Sequence, residues 1–202
     1  MSKKSVINAL ILMLITVVAG LLLGVVYEIT KEPIKAEQQR AKEEAYKAVF
    51  AEADSFEAID IKQDEIAKEL SKQGLDVTID EAMKVYDASG KMAGYVLTVT
   101  DHEGYGGDIQ FAMGVTIDGI TNGISFLSIS ETAGLGMKAK EDDFKNQFSG
   151  KQVSKFVYTK NGASSDNEID AISGATITTN AVTNGVNAGL YYISTIKEEE
   201  SK

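Results

Sequence analysis

There is no cysteine among the 202 residues. That absence excludes disulfides, thiolate metal sites, iron–sulfur ligation and thiol nucleophiles together. Any redox chemistry must come from a borrowed group. Histidine is almost as scarce: His102, in Asp101-His102-Glu103, is the single one. One imidazole in a charged loop falls short of the several convergent donors a metal site needs, so it reads as a solvated residue and no metal is expected. Paired acids of catalytic spacing and a Ser-His-Asp arrangement are also missing, which argues against hydrolysis. Positive charge is in deficit, with 20 Lys and Arg against 30 Asp and Glu. The formal charge of −10 becomes −12 once Lys3 and Lys4 are set aside. Such a surface repels nucleic acid, and no nucleic-acid partner is expected. No internal repeat or low-complexity linker interrupts the chain.

What is present begins with an apolar run. Residues 5–27 are 23 positions without a charge, bounded by Lys3, Lys4 and Glu28. At about 1.5 Å per residue, a helix of that length crosses the roughly 30 Å hydrocarbon core of a lipid bilayer. A cleaved signal peptide would have a shorter apolar region and a small-x-small cleavage site, which Gly24-Val25-Val26-Tyr27 does not offer. Residues 1–30 therefore read as a retained transmembrane anchor. Its orientation is not legible from charge, because Lys31, Lys35, Arg40 and Lys42 are interleaved with Glu28, Glu32, Glu37, Glu43 and Glu44.

The next stretch predicts a helix over 31–53, capped by Thr30, with Pro33 in its first turn and Ile34, Ala41, Ala45, Val49 and Phe50 at helical spacing. A second helix over 64–73 ends at Gly74 as a C-cap. Residues 31–75 thus form a helical connector packed on the following domain. Over 76–202 the period changes to two. Met83, Val85 and residues 94–100 flank the turn Asp87-Ala88-Ser89-Gly90-Lys91, and strands over 108–117 and 123–130 are joined through Asp118-Gly119 and Asn122-Gly123. A short helix over 140–148, a strand over 155–159 and a final helix over 176–196 complete an α+β domain with a mainly antiparallel sheet. A chain of this size can bury such a core without disulfides.

Three segments carry the chemistry. Asp170-Ala171-Ile172-Ser173-Gly174-Ala175-Thr176 is a loop of small residues running into the last helix, with a threonine hydroxyl at its start. The first-turn N–H groups of a helix lack internal partners and carry the positive end of its dipole, so they hold a phosphate without a basic residue, and Gly174 and Ala175 allow close approach. Equally, Ser173 is an ordinary N-cap residue followed by a small-residue turn. Gly134 and Gly136 flanking Leu135 suit backbone that touches a flat ring, or a plain strand-to-helix loop. In Gly104-Tyr105-Gly106-Gly107, Tyr105 either walls a ligand or packs on its own sheet.

Taken in order, these segments and Glu131-Thr132-Ala133-Gly134-Leu135-Gly136 resemble the FMN-binding domains of two membrane complexes. One is the G subunit of the Rnf ion-motive electron-transfer complex, and the other is the C subunit of the sodium-pumping NADH:quinone oxidoreductase. The resemblance covers nearly the whole chain, with alanine at 133 where the family usually has proline. It implies that Thr176 carries FMN through a phosphoester bond. It implies also that a flavin transferase reads Asp170, Ser173, Gly174, Ala175 and Thr176 during maturation. Glu131 and Thr132 would hydrogen-bond the ring beside the Gly134 and Gly136 amides, with Leu135 on its face and Tyr105 as a wall. Lys138 or Lys160 would lie near the pyrimidine edge or the phosphate. The implied function is an electron carrier among other membrane subunits of an Rnf-type complex in the bacterial cell membrane. That complex moves electrons between reduced ferredoxin and NAD and drives Na⁺ or H⁺ transport, with this domain outside the cytoplasm. Two alternatives stand beside it: the equivalent quinone-reductase subunit, and a flavin-free membrane-anchored scaffold.

Overall fold

A computed structural model describes residues 3–200 and divides into two compact units, Met1–Ala41 and Lys42–Lys202. The described residues of the first unit are helix alone. It is the larger part of α1 (Lys3–Val49), whose apolar residues from Val6 to Ile29 are exposed, and it is long and apolar enough to cross a membrane. The expected restart at Thr30 does not occur. The Thr30 hydroxyl donates to Val26 O at 2.8 Å inside the helix instead of capping a new one, and Pro33 lies within the helix. Glu, Lys, Ala and Gln on both sides of Pro33 are good helix formers and carry the helix through.

The second unit is built on a five-stranded antiparallel meander of β1 (Ser55–Ile59), β2 (Val77–Tyr86), β3 (Met92–Asp101), β4 (Ile109–Thr116) and β5 (Thr121–Ser128), in that spatial order. The Asp87 carboxylate makes the β2–β3 turn by accepting the N–H groups of Ser89 and Lys91 and the Ser89 hydroxyl. The edge strand β1 has no signature in the sequence, because five mostly exposed residues carry no period. Between β1 and β2, α2 (Gln63–Lys72) ends as expected at Gly74, which adopts a left-handed φ of 74°.

Strand alternation sends β3 and β4 residues to two faces. Tyr95, Leu97 and Val99 of β3, with Phe111, Met113 and Val115 of β4, join the main core beneath the last helix, α4 (Thr176–Glu200). Gly185 and Gly189 bring that helix close to the sheet, since a Cβ at these positions would stand 2.8 Å from Phe111 Cζ and 2.1 Å from Met113 Sδ. Val96 and Ala112 face the other way, against Ala45, Tyr46, Val49 and Phe50. There the Tyr46 hydroxyl sits 2.8 Å from Thr98 Oγ1 and donates to Glu81 at 3.0 Å. Burial, first of all, pushes its pKa well up. The helix stops at Val49, short of the expected 53, where Phe50 turns into the space left by Gly94 and Gly114.

After β5 come two short 3₁₀ turns around α3 (Asp142–Lys145), then a parallel pair of β6 (Val157–Thr159) and β7 (Glu168–Asp170). Buried Asn187 of α4 anchors this segment. Its Nδ2 donates to Phe156 O at 2.9 Å, and its Oδ1 accepts the Phe156 N–H at 2.7 Å.

Candidate functional site

Strand β7 delivers the chain to the small-residue loop, and Asp170 is fixed on three sides. Its N–H donates to Gln147 Oε1 at 2.6 Å, its carbonyl accepts Gln147 Nε2 at 3.4 Å, and its carboxylate accepts the Ala163 N–H at 2.6 Å. Ala171 N–H donates to Thr159 O. Beyond it, Ile172 and Ala175 are buried while Ser173 and Gly174 are exposed. Gly174 has φ +76°, and a Cβ there would stand 3.1 Å from Leu135 Cδ2. At the far end, Thr179 closes the loop. Its Oγ1 accepts the Ile172 N–H at 3.1 Å and donates to Ala175 O at 2.9 Å, and Thr179 N–H donates to the same carbonyl. Ala175, not Ser173, therefore holds the N-cap position, and the Ser173 hydroxyl makes none of the described capping bonds.

The N–H groups of Thr176, Ile177 and Thr178 precede that first helical bond and have no acceptor inside α4. They open on a cleft of about 520 Å³ lined by Tyr105, Glu131, Thr132, Leu135, Gly136 and the first turn of α4 with Gly174 and Ala175 before it. Three apolar side chains stand exposed around it: Tyr105 at 70%, Leu135 at 43% and Ile177 at 52%. The 104–107 turn that presents Tyr105 packs tightly on the loop bearing Leu135. A Cβ at Gly106 would stand 2.0 Å from Ser130 O, and Gly106 N–H donates to Glu131 Oε1 at 3.2 Å.

The two loop glycines differ in their reasons. Gly134 has φ +75° with open space around it, so turn geometry demands it. Gly136 is buried, and a Cβ there would meet Thr178 Oγ1 at 2.5 Å and Glu131 Oε2 at 2.6 Å. The backbone of Gly136 is small for its own neighbours, whatever lies in the cleft.

Of the residues expected to form a site, the structure gathers Tyr105, Glu131, Thr132, Leu135, Gly136, Gly174, Ala175 and Thr176 around one cleft. Asp170, Ser173, Gly134, Lys138 and Lys160 are not in its lining. Ile177 and Thr178 are additional lining residues; Ile177 is marked in the sequence only as an apolar side chain in the first turn of a helix. Glu131 Oε1 accepts the Gly106 N–H.

Three hydroxyls compete at the start of α4, and the fold separates them. Thr179 is buried and engaged in two hydrogen bonds, Thr178 is buried against Gly136, and Thr176 is half-buried at the cleft. A flat ring bearing a phosphate fits this arrangement. The apolar side chains offer faces, and the unpartnered N–H groups with the positive end of the α4 dipole offer an anion site. Close to the Tyr105 turn, buried Asp101 has one oxygen accepting Glu103 N–H at 2.8 Å and the other without a partner. Desolvation lifts its pKa to about 7.

The FMN-binding domain family matches residues 104–191, and the RnfG N-terminal region matches residues 1–49. The chain is 33% identical over 185 residues to the G subunit of the Na⁺-translocating ferredoxin:NAD⁺ oxidoreductase complex of Acetobacterium woodii, covering 90% of this chain and 87% of that one. It is 29% identical to the G subunit of the proton-translocating ferredoxin:NAD⁺ oxidoreductase complex of Clostridium ljungdahlii, covering 88% and 85%. Against the G subunit of the ion-translocating oxidoreductase complex of Methanosarcina acetivorans it is 32% identical, covering 95% and 96%. The chain belongs to the family of Rnf complex G subunits, with an FMN-binding domain over residues 104–191.

Proposed function

We propose that this chain is the subunit of an Rnf-type complex that holds FMN covalently on Thr176 and relays electrons between partner subunits. The observation that carries the covalent reading is the cleft's charge. Its lining holds no lysine or arginine and one acid, Glu131, so a phosphate there would rest on helix N–H groups and neutral hydroxyls, with no cation. In a domain of negative net charge such a site holds a free phosphate monoester weakly, and an ester bond removes the need for tight equilibrium binding. Thr176 supports it further as the accessible hydroxyl among three.

In maturation, a flavin transferase directs the Thr176 Oγ to the FMN-side phosphorus of FAD. The P–Oγ bond forms, the pyrophosphate P–O bond breaks, AMP leaves, and the hydroxyl proton passes to the transferase's base. When bound, the flavin supplies reversible electron uptake. The chain's own residues would do the rest: Leu135, Ile177 and Tyr105 would cover the ring, and the first turn of α4 would hold the phosphodiester.

The soluble unit stands on the extracytoplasmic side, residues 5–27 cross the bilayer, and the other membrane subunits are its redox partners. The complex moves electrons between reduced ferredoxin and NAD and drives an ion. The relatives differ on that ion, one named for Na⁺ and one for protons, so Na⁺ or H⁺ is left to measurement.

The test is co-expression with a flavin transferase followed by intact mass and peptide mapping. The mass should rise by one FMN less one water, on the peptide holding Thr176, and Thr176→Ala should give a folded chain with no fluorescent band in a denaturing gel. Flavin on another residue, or none, ends the assignment. Purified from its native membrane in mild detergent, the chain should bring down several polytopic subunits; a lone chain counts against the complex.

A further inference from the structure

Three separate segments build the cleft, and one side chain ties two of them together. Glu131 is 9% exposed. Its Oε1 accepts the N–H of Gly106, next to Tyr105, at 3.2 Å. Its other oxygen and its Cβ lie 2.6 and 2.7 Å from where a Cβ of Gly136 would stand, and Thr178 Oγ1 lies 2.5 Å from the same point. Thus this side chain joins the Tyr105 turn to the Leu135 loop, and Gly136 of that loop packs between Glu131 and Thr178 of α4. No described ion pair includes it, and no cation lines the cleft. A buried acid with one N–H partner and no cation is a poor device for stability, because its desolvation is not offset. It is a strong electrostatic one, because charges inside a protein are weakly screened.

We propose that Glu131 is a positioning residue that sets the reduction potential of the group in this cleft: its side chain pins the Tyr105 turn to the Leu135 loop, and its negative charge opposes electron uptake there. This rests on the reading of the cleft as a flavin site. Each electron added to a bound ring brings one negative charge into the cleft unless a proton accompanies it. A fixed negative charge nearby makes that addition less favourable, which keeps the potential low. Removing the charge while keeping the shape therefore raises it.

The experiment uses the full chain in nanodiscs, labelled and unlabelled, with Glu131→Gln and Glu131→Ala. Glutamine keeps an oxygen for the Gly106 N–H and removes the charge. In the unlabelled chain, hydrogen exchange over residues 104–108 should stay at the wild-type rate in E131Q and accelerate at least several-fold in E131A. In the labelled chain, a spectroelectrochemical titration should place the E131Q midpoint at a more positive potential than wild type with an unchanged mass gain. A wild-type potential in fully labelled E131Q overturns the charge role, and unchanged exchange in E131A overturns the positioning role. Should E131Q fail to fold, Glu131→Asp, which keeps the charge but retracts it from Gly106, must speed exchange over 104–108 while leaving the potential low; any other result counts against the proposal. Failure of the flavin reading itself is separate: wild type would then gain no mass, while the exchange results would still decide the positioning role.

Discussion

The Thr179 hydroxyl donates to the Ala175 carbonyl at 2.9 Å and accepts the Ile172 N–H at 3.1 Å, so one side chain fastens both ends of the loop that presents Thr176. Thr179→Val keeps the volume and removes both bonds, leaving a buried N–H without a partner. The expected loss is about 1–3 kcal/mol of unfolding free energy in urea. Labelling of Thr176 should also slow, since the loop is no longer held in shape. Thr179→Ser should restore both; wild-type stability in the valine variant would show that the loop does not depend on this hydroxyl.

The two glycines beside Leu135 give opposed expectations. Gly136→Ala forces a methyl against Glu131 and Thr178, costing about 1–3 kcal/mol by overpacking and loosening the Gly106 N–H. Gly134→Ala meets no atom within 4 Å and costs only the left-handed backbone strain, roughly 1–2 kcal/mol. Hydrogen exchange over residues 104–108 separates them: faster in G136A, unchanged in G134A. Equal exchange in both would remove the contact at Gly136 as a cause.

Asp101 should make stability depend on pH. The unfolded chain loses this proton near pH 3.9, whereas the folded chain, through desolvation of the buried carboxyl, keeps it to about 7. Between those values the native state binds more protons than the unfolded one, so this group's contribution falls as pH rises from about 4 to about 7 and then levels off. Asp101→Asn retains an acceptor for the Glu103 N–H and should stabilise the protein at pH 8 by up to roughly 4 kcal/mol, with little gain at pH 4. His102, whose pKa is raised first by its hydrogen bond to Asp108, adds a slope of the same sign near neutrality, so part of the dependence should remain in the variant. Equal gains at pH 4 and pH 8 would contradict a buried titrating carboxyl. Denaturant melts at the two pH values decide.

Asn187 is a buried polar residue of α4, and it satisfies both backbone groups of Phe156. Asn187→Leu leaves that N–H and carbonyl buried without partners, and about 2–4 kcal/mol should be lost in a thermal or urea melt. A neutral result would mean that the 156–170 segment can find other acceptors.

Much of this molecule is written locally. An uncharged run of 23 residues, the period-two stretches of β2 to β5, the Asp87 turn, Gly74 after α2 and the small-residue loop before Thr176 each announce themselves through short-range chemistry. Turn residues and side-chain periodicity act over a few positions, which is why they can be read from a single chain. The passage of α1 through Thr30 and Pro33 was not legible, because capping residues and proline mark where a helix can begin but do not compel it to. Nor were β1 and β7, whose few residues depend on a neighbouring strand for their backbone bonds. At the site, the sequence by itself determined which residue types were present and that Thr176 would open a helix. Only the tertiary structure decided that Thr179 would be engaged and Thr178 buried while Thr176 faced a cleft, and that Glu131 would serve Gly106. The cleft joins segments far apart in the chain, and even Glu131 and Gly106 are 25 positions apart, so packing of α4 against the sheet and the two glycine loops sets these outcomes.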